Sequence, residues 1–147
     1  MIIIFGVGNP LHGDDGIGPA VAEQIMALDL PGVAAYNCGN APENFTNAVK
    51  RADTLIIVDA VEMGLLAGSV RRISEKMICD MAIGTHMMAL SLLVRFLMST
   101  VDKIVIVGVQ PACMSPKEEL SVDIERGVAE IVRCVQEKDI ERIEVLG

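Results

Sequence analysis

Five side chains in this sequence are of types, and in places, that can do chemistry: the adjacent carboxylates Asp14 and Asp15, a third carboxylate at Asp59, and the two histidines His12 and His86. Asp14 and Asp15 follow a glycine-punctuated run, Gly6-Val-Gly-Asn-Pro-Leu-His-Gly13, just before a helical pattern. Two neighbouring like charges repel unless a cation, a helix N-terminus or water relieves them. Asp15, Asp59 and His86 come from three separate segments. Together they form a nitrogen and oxygen donor set suited to a borderline divalent ion such as nickel or zinc, with a coordination position left open. An ion so held polarises a carbonyl or activates water.

Each of these residues also has a plainer reading. Asp14 or Asp15 could cap the following helix, Asp59 could end a strand as a turn residue, and His86 could be a structural histidine in an apolar helix. His12 is either a solvated loop residue or an auxiliary ligand or acid. Gly6-x-Gly8 is not a dinucleotide fingerprint, because Leu11 stands where the third glycine belongs and no acid ends the second strand. That argues against a nucleotide-binding regulator. An ordinary hydrolase would use Cys38 or Ser115 as nucleophile, but no strand–nucleophile–helix elbow surrounds Cys38, and neither histidine is evidently its base.

The elements that must position these groups alternate along the chain. Apolar runs predict strands over Ile2–Val7, Val33–Cys38, Thr54–Val58 and Lys103–Val109, and an edge strand over Ser69–Ile73, which carries Arg71 and Arg72. Ile17, Val21, Ile25 and Leu28 mark one face of a helix that ends before Pro31-Gly32. Glu43–Arg51 reads as a short helix, His86–Met98 as a long one capped by Thr85, and Ile124, Val128, Ile131 and Val135 as the stripe of a last one. Ile140–Leu146 fits a frayed tail or a short edge strand. Such alternation predicts one α/β domain over 1–147: a mainly parallel, twisted sheet of about five strands with helices on both faces. In that architecture ligands bind outside the carboxyl ends of the strands, where the loops Asn9–Gly16, Gly39–Glu43, Asp59–Gly64 and Gln110–Pro116 leave.

Composition narrows the function classes. Of 147 residues, 52% are hydrophobic but only 3% aromatic, so aliphatic side chains and Met must fill the core. The most apolar window, Met81–Met98, contains His86 and Arg95 and so reads as a buried helix and not a membrane span. No basic leader precedes the first strand, so a cytoplasmic protein is expected. Cys38, Cys79, Cys113 and Cys134 show no C-x-x-C spacing and read as reduced thiols. The net charge of −8 argues against nucleic acid or an anionic membrane as partner.

In order along the chain stand Gly6-Val-Gly-Asn9, Gly13-Asp-Asp-Gly-Ile-Gly18, Gly39-Asn-Ala-Pro-Glu-Asn44, Ile57-Val-Asp-Ala60 with Met63-Gly64, Thr85-His-Met-Met88 and Gly108-Val-Gln-Pro111. Together these segments resemble the nickel–iron hydrogenase maturation endopeptidases, in the branch that processes hydrogenase-3-type large subunits. The resemblance implies that Asp15, Asp59 and His86 occupy the family's metal-binding and catalytic positions. It also implies that Asn9, Asp14 and the stretch Gly39, Asn40, Ala41, Pro42 and Glu43 line the substrate cleft, with Asp14 orienting its loop or capping the helix. The activity implied is removal of a C-terminal extension from a hydrogenase large-subunit precursor once nickel has been inserted; a monomer is expected. The nickel arrives with the substrate, and zinc or another divalent ion can stand in for it. A non-cleaving nickel-checking or chaperone module would use the same donor set. Met87-Met88-Ala89 departs from the family, whose members often carry Asn and Pro there.

Overall fold

Four apolar runs pair side by side as parallel strands: β1 (Ile2–Val7), β2 (Val33–Gly39), β3 (Thr54–Ala60) and, last in the chain, β5 (Lys103–Val109). The short β4 (Val70–Ile73) joins β5 antiparallel at the edge, giving the order β2-β1-β3-β5-β4. The computed structural model describes residues 1–80, 85–112 and 120–147, with the side chains of residues 51, 79 and 85–88 outside that description. Because β1 has β2 on one side and β3 on the other, the winding reverses direction between β1 and β3. A crevice opens at the carboxyl ends of strands at such a point.

Strand alternation sorts the apolar side chains onto two faces. Ile4, Ile56, Val58, Val105 and Val107 point to the layer made by α1 (Ile17–Leu28), where Val21 and Ile25 meet them. The last helix completes that layer through Ile124, Val128 and Ile131. Ile3, Phe5, Val7, Leu55, Ile57 and Ile106 point the other way, against Val49, Leu90, Leu93, Val94 and Leu97. The first two of these partners' segments are the run Pro42–Arg51 and α3 (Thr85–Leu97), which follows the short α2 (Glu75–Asp80). The last helix is α4 (Val122–Gln136).

Three details sharpen the sequence reading. Pro42–Arg51 winds as a 3₁₀ helix, not an α-helix. Its Asn- and Thr-rich sequence is a weak α-former, and the tighter turn brings Phe45 into an edge-to-face cluster with Phe5 and Tyr36. β3 continues two residues past Val58, so Asp59 lies inside the strand, opposite Gly108. The C-terminal segment takes a 3₁₀ turn at Ile140–Arg142 and then returns to the sheet edge, where Val145 bridges Arg72 of β4. No helix among the described residues is long and apolar enough to cross a membrane.

What seats α1 on the sheet is the absence of side chains. A Cβ on Gly18 would lie 2.6 Å from the Val58 carbonyl oxygen and closer still to the Val7 backbone, and one on Gly6 would run into the Gly18 carbonyl. Gly18→Ala should therefore cost about 1–3 kcal/mol or more, as overpacking does. Urea unfolding of the variant against the parent protein measures it.

Candidate functional site

The loop after β1 is built to aim a carboxylate back at the strand ends. Gly8 takes φ +138°, a conformation in which only glycine is unstrained, and a Cβ there would collide with the Asp15 carbonyl oxygen. The chain then turns at Asn9-Pro10, where the Asn9 side-chain oxygen accepts the Leu11 amide at 2.9 Å. Gly13–Gly16 follows as a single 3₁₀ turn, leading directly into α1.

Asp14 and Asp15 part company on that turn. Asp14 is fully buried. Its carboxylate accepts the Ala112 amide at 2.8 Å, the Ser121 amide at 3.0 Å, and the Ser121 hydroxyl at 3.1 and 3.2 Å. Ser121 is the N-cap of α4, so the positive end of that helix relieves the Asp14 charge. Asp14 therefore ties the 3₁₀ turn to the end of β5 and the start of α4. Buried and bonded in this way, its carboxylate holds the loop in place.

Asp15 is partly exposed, and its Oδ2 accepts the Asn9 amide at 2.9 Å. It does not cap α1: the N-cap is Gly16, with no side-chain cap bond. Asp59 reaches the same place from β3. It is fully buried, shares the strand face of Leu55 and Ile57, and lies near enough to Asp15 to feel its charge. Burial, and then the Asp15 charge, hold the Asp59 carboxyl well above the usual carboxylate range, against a smaller opposing effect of the Ala60 amide.

His86 falls in the first turn of α3, on the layer that Asp59 faces. Its imidazole, like the Thr85 cap and the Met87-Met88 departure, lies outside the described side chains. Cys79, Cys113 and Ser115 are outside the description as well. Among the described residues no three of His, Cys, Asp and Glu gather closely enough to hold a metal ion. The described part of the donor set is the carboxylate pair. His12 is exposed on the loop.

The remaining sequence candidates cluster at the end of β2. Gly39 accepts the Gly8 amide at 2.8 Å through its carbonyl, and Ala41 donates to the Cys38 carbonyl at 3.1 Å, so the 39–43 turn is stitched to the β1 loop. Asn40 and Glu43 are exposed, Ala41 and Pro42 partly so. Cys38 is buried, and burial together with Glu43 pushes its thiol up to about 12, which removes it as a nucleophile at neutral pH. Sequence reasoning missed Gln110 as a support. Its buried amide accepts the Met63 amide at 2.7 Å and the Leu65 amide at 3.3 Å and also binds Glu62, so it holds the loop that leaves β3 just beyond Asp59. Its signals were an uncharged polar residue closing an apolar strand and its place in the segment Gly108-Val-Gln-Pro111.

Comparison with known proteins finds relatives across most of the chain. The model of the family described as HycI, hydrogenase maturation protease, matches residues 19–138. The chain is 37% identical over 112 residues to the hydrogenase 3 maturation protease of Escherichia coli K12, covering 74% of this chain and 72% of that one. A solved structure of a hydrogenase 3 maturation protease superposes with a TM-score of 0.90 at 29% identity, over 100% of this chain and 97% of the other. The NiFe hydrogenase maturation protease HycI of Thermococcus kodakarensis KOD1 gives 0.83 at 28% identity, over 95% and 92%.

Two stability measurements follow from the buried carboxyls. Between the usual carboxylate value and the raised one, folded Asp59 keeps a proton that the unfolded chain releases. Its contribution is therefore full at low pH and lost as pH rises through that window. Asp59→Asn should flatten this fall and leave the protein more stable than wild type at neutral pH, read from urea midpoints at several pH values. Asp14→Asn should do the opposite, losing on the order of 2 kcal/mol with its charge-assisted hydrogen bonds.

Proposed function

The chain belongs to the family of hydrogenase maturation proteases, and from that membership we propose that it removes a C-terminal extension from a nickel-loaded hydrogenase large-subunit precursor. The observation that carries the reading is Asp59: a fully buried acid beside a second carboxylate, at the point where the sheet reverses its winding. A cation arriving there would relieve both the burial and the repulsion that hold the Asp59 proton in place. The carboxylates of Asp15 and Asp59 and the imidazole of His86 fit nickel by donor type.

Nickel enters this scheme as part of the substrate. When bound, a divalent ion polarises a carbonyl or a water molecule. The chain's own residues do the rest. Asp15, partly exposed, meets the incoming group first, and Asn9 fixes its orientation through the backbone amide. Asp14 holds the turn that carries Asp15, and Gln110 holds the loop that follows Asp59. Asp59, once deprotonated, is positioned to accept a proton from attacking water. The stretch Gly39–Glu43 borders the cleft, and the protein works as a cytoplasmic monomer.

The test is to incubate the protein with nickel-loaded and nickel-free precursor and weigh the products by mass spectrometry. Loss of a C-terminal peptide from the loaded form alone is expected. Asp15→Asn and Asp59→Asn should lower that rate by on the order of 100-fold or more while leaving the circular dichroism spectrum unchanged. Binding without cleavage by the wild-type protein would replace this reading with that of a nickel-checking module.

A further inference from the structure

The aromatic side chains of this protein are unevenly placed. Phe5, Tyr36 and Phe45 form one cluster against the sheet, while Phe96, the third phenylalanine, is 68% exposed on α3. Leu92, one turn before it on the same helix face, is 61% exposed. Both side chains form one wall of an open groove of about 530 Å³, whose other wall is Asn40, Glu43 and Thr46. Asn40, Glu43 and Ala89 also line a narrower recess that reaches Val7 at the end of β1. Val7 points to the same side of the sheet as Asp59. Groove and recess share Asn40, Glu43 and Ala89, and the recess reaches the carboxyl end of β1 on the sheet face that Asp59 shares.

We propose that this groove seats an extended, apolar segment of the precursor chain next to the bond that is cut, with Phe96 and Leu92 as its anchors. The inference rests on the processing activity proposed above and adds the surface that recognises the polypeptide, apart from its nickel. The length of the groove selects the occupant. From Ala89 to Phe96 the helix advances about 10 Å at roughly 1.5 Å per residue. That spans about three residues of extended chain at roughly 3.3 Å each, too short for a packed helix or a folded subunit face. Its two walls suit a strand-like peptide, whose side chains alternate between apolar contact with α3 and the polar rim of Asn40 and Thr46. The described lining carries one acid, Glu43, and no base, so it disfavours an acidic segment.

The experiment measures initial rates of extension removal against the concentration of nickel-loaded precursor for wild type, Phe96→Ala, Leu92→Ala and the control Met26→Ala. Met26 is an exposed residue on α1, in the opposite layer. The proposal expects KM to rise about tenfold for the two groove variants, with kcat within about twofold and the control unchanged; tenfold corresponds to about 1.4 kcal/mol of lost contact. Unchanged KM in both groove variants overturns it. So does a wild-type dimer in sedimentation that Phe96→Ala converts to monomer, since the patch would then cover a second copy of the chain. If wild type releases no peptide, the processing reading fails by itself, and the groove is judged by precursor binding: weakened in Phe96→Ala it stands, unchanged it falls.

Discussion

The site depends on how closely the first turn of α1 approaches the backbones of β1 and β3. Gly6 and Gly18 leave no side chain between helix and strands, and Gly8 lets the chain turn back where a Cβ would strike Asp15. This contact fixes the distance from the end of β1 to the start of the helix. The short path in between, through Asn9-Pro10 and one 3₁₀ turn, can then deliver Asp15 to the place that Asp59 reaches from the neighbouring strand. The winding reverses between the two strands that lead to these carboxylates, β1 and β3.

Within that geometry, three acids meet three environments. Asp14 is buried, but backbone amides, a hydroxyl and the positive end of α4 surround its charge. Such a carboxylate is a structural tie. Asp15 keeps contact with solvent and takes one amide. Asp59 is buried against aliphatic neighbours and beside a like charge, so its proton is hard to remove. A protein gains no stability from an acid placed in this way.

The two faces of the sheet are closed differently. On one side α1 and α4 pack as regular helices against Ile4, Ile56, Val58 and Val107. On the other, a 3₁₀ run stands opposite α3, and the aromatic cluster fills the space beneath it. That pairing is less complete, and a groove remains between the two elements. Both the groove and the Asp59 side chain belong to this less regular layer, while the α1 and α4 layer packs the other face of the strands.

Local pattern and motif determined much of this protein before any coordinates. Apolar runs of strand length placed the four parallel strands, the spacing of Ile17, Val21 and Ile25 placed α1, and charge-bearing Arg71 and Arg72 marked β4 as an edge. Asp15 and Asp59 were legible because both follow apolar runs whose carboxyl ends converge in any doubly wound sheet. Tertiary structure alone decided the rest. Asp14 and Asp15 are chemically identical in sequence; which one is spent on Ala112 and Ser121, about a hundred residues away, depends on where α4 docks. The role of Gln110 and the tight winding of Pro42–Arg51 also arise from partners distant in the chain. Periodicity reports which face of an element is buried, but a hydrogen bond or a burial-raised pKa depends on what packs against that face, and that is set only when the whole chain has folded.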